Sequence, residues 1–254
     1  GWISSEGPFV NQFEQQCAKR HGRKHAISVS SGTAALKCAV DALDLCPGDE
    51  VVIPSFTIIS CVTPVIESGA TPVLVDCEPE TFNSSPEQII SAITPKTKAI
   101  MLVHVYGLPV DAEQVLEIAR ERGIKIIEDS AEAIGLDYKG RPCGSLGDVS
   151  TFSFYPNKHI TTGEGGIATT NSEELNTKMK ILCNQGVNKE KNKFKNLPKL
   201  DWLYEQNALG FNYRITDFQC ALGISQLKRL DKIVEARNKK HDFYKGLIKS
   251  LPIS

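Results

Sequence analysis

Along the first 170 residues, short runs of apolar and often β-branched side chains alternate with stretches in which apolar residues recur every three to four positions. The runs predict strands over 26–30, 51–54, 72–75, 99–104, 125–128, 149–154 and 166–170. Amphipathic helices are predicted between the first five, over 33–43, 57–68, 86–93 and 111–122. Strands that are apolar on both faces must be covered on both faces. Alternating with helices, they predict a three-layer α/β fold around a mainly parallel, seven-stranded sheet. Sheets of this kind bind ligands beyond the carboxyl ends of their strands, so residues just after strands are the first candidates for chemistry.

Beyond Ser172 the pattern turns helical, and then 184–207 becomes polar and rich in Lys and Asn. That stretch reads either as a long mobile loop or as a solvated insertion without a role. From Thr216 onward, Ala221, Leu222, Ile224, Leu227, Leu230 and Ile233 predict one long helix running towards Leu247. The expected organisation is a single large domain over 1–254, with 1–210 forming the sheet and its covering helices and 211–254 the C-terminal helix.

Composition narrows the partners. Twenty-nine Lys and Arg against thirty Asp and Glu leave a formal charge of -1, which gives no reason to expect nucleic acid or an anionic membrane as partner. No run of 18 apolar residues occurs to span a bilayer, and Gly1 to Glu6 lack the character of a signal peptide. The eight cysteines are scattered with no C-x-x-C pair and the five histidines are dispersed. Reduced thiols in a cytoplasmic chain, with no metal site, are the expectation.

Three constellations carry chemistry, each at the end of a predicted strand. Ser30-Ser31-Gly32-Thr33-Ala34-Ala35-Leu36 opens a helix, where free N–H groups and small residues suit a phosphate; ordinary capping by Ser31 or Thr33 would read the same. Glu128-Asp129 closes the strand at 125–128. A buried carboxylate there needs a cation, for which a protonated pyridine nitrogen would serve; a cap or surface ion pair is the alternative. Lys158 follows the strand at 149–154 and precedes Gly163-Glu164-Gly165-Gly166. A desolvated amine in that position can form a Schiff base and then shuttle a proton, whereas an exposed turn lysine would do neither. The G-x-G-x-x-G spacing of dinucleotide sites is absent. Phosphate anchor, ring-nitrogen carboxylate and lysine are together the set that one pyridoxal 5'-phosphate requires.

With these motifs in hand, the chain resembles the DegT/DnrJ-type nucleotide-sugar aminotransferases, through residues 1–8, 30–36, 48–57, 127–133, 152–166 and 210–214. The Gly1-Trp2-Ile3-Ser4-Ser5 opening, Glu132 and Gly210-Phe211-Asn212-Tyr213-Arg214 are most similar to the GDP-perosamine synthase branch. The resemblance implies the large domain of the aspartate-aminotransferase-like fold (pyridoxal-phosphate fold type I), the family's small C-terminal domain lying outside this sequence. It implies that Lys158 carries the cofactor and Asp129 pairs with its ring nitrogen. Gly32, Thr33 and Ser153 would hold the phosphate, Glu132 would sit beside the 3-hydroxyl, and Ser4 would touch substrate. Asn212 would reach the phosphate of a neighbouring subunit in a homodimer with shared active sites; its alternative is a cap on the helix near Thr216. The implied reaction moves an amino group from L-glutamate to a nucleotide-diphosphate keto sugar, of the 4-keto-6-deoxy class, for surface polysaccharide or deoxyamino-sugar synthesis. Two positions depart from the family pattern: Ile58 stands where an aromatic ring is frequent, and Ile134 where His is frequent. A dehydratase branch has His in place of the Schiff-base lysine, against which Lys158 argues despite His159 next to it. A pyridoxal-phosphate-binding chain without catalysis is the alternative from another class.

Overall fold

The computed structural model describes residues 3–188 and 204–249. In chain order its strands are β1 (His25–Val29), β2 (Glu50–Pro54), β3 (Thr71–Val75), β4 (Thr97–Val103), β5 (Lys125–Asp129), a small hairpin of β6 (Asp137–Tyr138) and β7 (Arg141–Pro142), β8 (Val149–Ser153), β9 (Gly166–Thr170), and a short ladder of β10 (Val187–Asn188) with β11 (Glu205–Gln206). Seven of them form one sheet in the order β1-β9-β8-β5-β4-β2-β3. Neighbours from β8 to β3 run parallel, and β9 alone is reversed, antiparallel to both β8 and β1. These are the seven predicted strands, with ends moved by a residue or two.

The helices are α1 (Pro8–Arg20), α2 (Gly32–Asp41), α3 (Thr63–Glu67), α4 (Pro86–Ser91), α5 (Glu113–Arg122), α6 (Glu173–Leu182), α7 (Asp217–Leu227) and α8 (Leu230–Ile248). Side-chain alternation along the strands divides the core between the two faces. Ile27, Val51, Ile53, Met101 and Ile127 pack beneath α2 and α6. On the other face, Val52, Ile100, Leu102 and Ile126 pack beneath α4 and α5, while Phe152 and Ile167 meet Phe13 of α1, Ile224 of α7 and Leu230 of α8. Each such buried side chain contributes roughly 1.5–3 kcal/mol, so the sheet holds only because both faces are covered.

Three elements differ from the sequence expectation. No helix was expected before the first strand, yet α1 is thirteen residues long, with Pro8 in its first turn and Phe13 and Cys17 buried. Its N-terminus has no local side-chain cap; the carboxylate of Asp217, some 208 residues away, accepts the N–H groups of Phe9 (2.7 Å) and Val10 (3.1 Å). The stretch 57–68 divides into a 3-10 turn (Ile59–Cys61) and α3, because Pro64 has no N–H to continue a ladder from the preceding turn. The single long helix expected from Thr216 is two, α7 and α8, broken at Lys228 and Arg229. Ile224, Leu227, Leu230 and Ile233 recur every three residues. At about 100° per residue such a stripe would wind roughly half-way round a straight helix, and the break restores it to one side. Of the polar excursion, residues 189–203 lie outside the described residues, and β10 and β11 flank it.

Replacing Asp217 by Ala removes the acceptor for two otherwise unpaired N–H groups at the start of α1 and should cost about 1–2 kcal/mol. A lowered urea midpoint with an unchanged far-ultraviolet dichroism spectrum would show this; an unchanged midpoint would contradict it.

Candidate active site

Parallel pairing brings the carboxyl ends of β4, β5 and β8 level: Val103 lies beside Asp129, and Asp129 beside Thr151. Above these ends opens a cavity of about 680 Å³ whose walls include Gly32, Thr33, Asp129, Glu132, Ser153 and Lys158. Six of the residues named from sequence therefore meet in one place, contributed by the ends of three strands, β1, β5 and β8, and the segments that follow them.

One wall is a helix N-terminus. Ser31 caps α2, its Oγ accepting the N–H of Ala34 at 3.1 Å, so the capping role and the anion site occupy the same turn. The first amides of a helix, here those of Gly32 and Thr33, have no acceptor within it. Thr33 Oγ1 is 2.9 Å from Ser60 Oγ. Two glycines make this closeness possible. A Cβ on Gly166 would stand 2.2 Å from the Ser31 carbonyl oxygen, and one on Gly32 would stand 2.8 Å from Ser153 Cβ. Strand β9 thus lies directly under the loop, with Gly166 paired to both Val29 and Ser153.

The acidic pair on β5 splits between the faces. Glu128 is fully buried on the side away from the cavity, and six donors surround it. His104 Nε2 (2.9 Å), Ser150 Oγ (2.8 Å), Ser130 Oγ (3.3 Å) and the N–H groups of Leu146 (2.8 Å), Gly147 (3.2 Å) and Gly144 all donate to its carboxylate. Nδ1 of His104 accepts from Val110 N–H at 3.2 Å, so the ring proton lies on Nε2 and is given to Glu128. Burial opposes ionisation of Glu128, but the hydrogen bond from His104, with those from the Gly144 N–H and the Ser150 hydroxyl, outweighs it and brings the carboxyl down to about 2. Asp129 points to the other face, into the cavity, and is 3% exposed. Oδ1 accepts Ala131 N–H (2.9 Å) and Oδ2 accepts the Cys61 thiol (3.2 Å). Burial pushes its carboxyl above the usual range, and among the described residues no Lys or Arg nitrogen lies within ion-pair distance.

Lys158 enters from the loop after β8, its side chain mostly buried and its Nζ donating to Glu132 Oε1 at 3.0 Å. Glu132 Oε2 accepts the N–H of Tyr106 at 2.8 Å, a residue in the left-handed region (φ 52°, ψ 24°) that side chains other than Gly adopt at a cost. Arg237 of α8 donates to the carbonyls of Asn157 and Lys158 at 3.3 and 3.2 Å, fastening the lysine loop from outside.

Two sequence candidates stand apart from this cavity. Ser4 gives its carbonyl to the N–H of Asp217 (2.7 Å) and lines no part of the cavity wall. Asn212 is exposed, bridged to Asn184, and does not cap a helix: Thr216 caps α7, in a capping box with Gln219. Of the departures, Ile58 lines the cavity and is exposed, and Ile134 is buried against α8. Aromatic rings at the rim come instead from Phe56, Tyr106 and Tyr155. His104, Tyr106 and Cys61 were not singled out by sequence. The first two follow β4 directly, where the rule about carboxyl ends could have found them; nothing in the sequence marks Cys61.

The residues fit pyridoxal phosphate. The amides at the start of α2 and the Ser153 hydroxyl suit its phosphate, and the buried Asp129, lacking a cationic partner, suits a ring nitrogen that carries a proton. Lys158 supplies the amine.

The model of the DegT/DnrJ/EryC1/StrS aminotransferase family matches residues 1–254. The GDP-perosamine synthase of Caulobacter vibrioides is 46% identical over 243 residues, which are 96% of this chain and 62% of that protein. The GDP-perosamine synthase of Escherichia coli O157:H7 is 42% identical over 250 residues, 98% of this chain and 66% of that one. Among solved structures, the pyridoxal-phosphate form of a Streptococcus pneumoniae protein superposes with a TM-score of 0.88 at 30% identity, covering 98% of this chain and 66% of the other. The chain thus spans just under two thirds of the length of these curated relatives.

The lowered pKa of Glu128 is a stability statement. A carboxyl whose folded value lies below its unfolded one stabilises the fold above the unfolded value and loses that contribution as pH falls. Between about pH 4.5 and 2, wild-type stability should therefore drop by roughly 3 kcal/mol through this group. Glu128→Gln should be less stable at neutral pH, and its stability should fall by roughly 3 kcal/mol less than that of wild type over that window in urea titrations. An equal acid-limb slope in both proteins would contradict the assignment.

Proposed function

The chain belongs to the DegT/DnrJ/EryC1/StrS aminotransferase family, and from that premise we propose that it transfers an amino group to a nucleotide-linked 4-keto-6-deoxy sugar with pyridoxal phosphate as cofactor. L-Glutamate is the proposed donor, surface polysaccharide or deoxyamino-sugar synthesis the proposed setting, and the cytoplasm the proposed location. Among the described residues no helix is long and apolar enough to cross a membrane. The observation that carries the reading is Asp129: a buried carboxylate with no Lys or Arg nitrogen in ion-pair distance among the described residues, facing the same cavity as the amine of Lys158.

Pyridoxal phosphate, when bound, supplies an electron sink that lets an amino group leave one carbon and enter another. The chain's own residues supply the rest. Gly32, Thr33 and Ser153 bind the phosphate with the partial positive charge of a helix start. Asp129 holds a proton on the ring nitrogen by a charge-assisted bond, which keeps the ring electron-withdrawing. Lys158 would be the point of covalent attachment, and its amine at the cavity wall would also hold or move a proton there. Glu132 holds that amine by a hydrogen bond and would stand beside the ring's 3-hydroxyl. Ser4 is proposed to reach substrate. In the proposed homodimer, Asn212 extends from its exposed position to the phosphate held by the partner chain.

Borohydride reduction of the cofactor-loaded protein should fix the label on the peptide containing Lys158, and Lys158→Ala should lower transamination by several orders of magnitude. Label on a different lysine would refute the attachment point.

Mixing Lys158→Ala chains with Asn212→Ala chains tests the shared site. If Asn212 serves the partner, each heterodimer has one site with both defects and one with neither, and random pairing should return about a quarter of wild-type activity. If Asn212 serves its own chain, no recovery occurs.

A further inference from the structure

The side chain that sets the Asp129 carboxylate comes from a different element. Cys61 ends the 3-10 turn after β2, is fully buried, and places Sγ 3.2 Å from Asp129 Oδ2. Its Sγ is also 3.3 Å from Thr57 Oγ1. A thiol has a single proton. Burial raises the Cys61 thiol well above its ordinary value, the Asp129 charge adding to this, so the proton stays on sulfur. An ionised carboxylate only accepts, so the thiol donates to Asp129 and the Thr57 hydroxyl donates to sulfur. Cys61 thus fixes one oxygen while the Ala131 N–H fixes the other.

The choice of sulfur matters. An S–H is a weak donor, so it orients a carboxylate while withdrawing little of its charge. A hydroxyl in the same place would be stronger and shorter, and would leave the carboxylate a poorer partner for a second donor. An apolar side chain would leave Oδ2 without a donor inside a buried site.

We propose that Cys61 is a positioning residue for the cofactor ring: its thiol holds the Asp129 carboxylate in place and leaves it the charge needed to keep the ring nitrogen protonated. This rests on the reading of the cavity as a pyridoxal-phosphate site. A buried cysteine that merely fills space would affect stability alone.

The test uses the 254-residue chain loaded with pyridoxal phosphate labelled with 15N at the ring nitrogen. The nitrogen chemical shift reports ring protonation directly and needs no turnover. Wild type, Cys61→Ser and Cys61→Ala are titrated with alkali. The ring proton should be lost at lower pH in Cys61→Ser than in wild type, and at higher pH in Cys61→Ala. The shifts expected for one hydrogen bond altered are about half a pH unit to one unit each. Identical titrations in all three proteins, whatever their thermal stabilities, would overturn the role of Cys61 while leaving the cofactor site standing. Failure of wild type to hold a protonated ring at neutral pH would overturn both. Cys61→Ser conserves volume closely, so it keeps the test decisive if Cys61→Ala folds poorly.

Discussion

A carboxylate taken out of water costs several kcal/mol unless donors or a cation meet it, and β5 ends on two of them in succession. Because side chains on a strand alternate, Glu128 and Asp129 cannot share a solution. Glu128 turns towards the loop before β8 and the start of that strand, and is enclosed by hydrogen-bond donors. Arg23 reaches the same loop, binding the Gly144 and Gly147 carbonyls and Ser150 Oγ. The loop is thereby made rigid on one face of the sheet. Asp129, on the other face, has among the described residues two donors and no ion-paired cation, and the space above it is open. One carboxylate organises the scaffold and the other is left for a ligand.

The same economy of contact appears at the opposite wall. An anion site at a helix start works only if the helix can be brought close to the ends of the sheet. Here β9 runs against the direction of its neighbours, so its first residue, Gly166, lies between the last residues of β1 and β8. The absence of a side chain there lets the Ser31 backbone rest on the strand. The reversed strand is what puts the Gly163-Glu164-Gly165-Gly166 turn, Ser153 and the start of α2 within one site.

Much of this is legible in the sequence, for physical reasons. The seven strands are two-faced apolar runs, and that pattern survives any detail of packing. The cavity residues follow strands, so the order of the motifs already places Gly32, Asp129 and Lys158 at one edge. What eludes the sequence depends on partners distant in the chain. Helix α1 takes its cap from Asp217, the break before α8 follows from how a three-residue stripe must turn to stay buried, and Cys61 becomes meaningful only beside Asp129. His104 lies between these cases: its position after β4 is readable, but its grip on Glu128 is a matter of the fold.

The strength of the pairing between Asp129 and a ring nitrogen depends on how much water remains near it, since a charge-assisted bond weakens as the local dielectric rises. Asp129 is itself buried, yet the rim of the cavity carries Ile58 and Tyr106, which are 61% and 76% exposed. Apolar side chains grouped at the mouth of a site gain by being covered, and covering them would exclude water from the cavity below. In the proposed homodimer the covering surface is a second copy of the chain, and the exposed Asn212 of that copy would arrive with it. Burial of the rim and completion of the phosphate site would then be one event, with the hydrophobic contact supplying the driving force and the amide supplying the specificity.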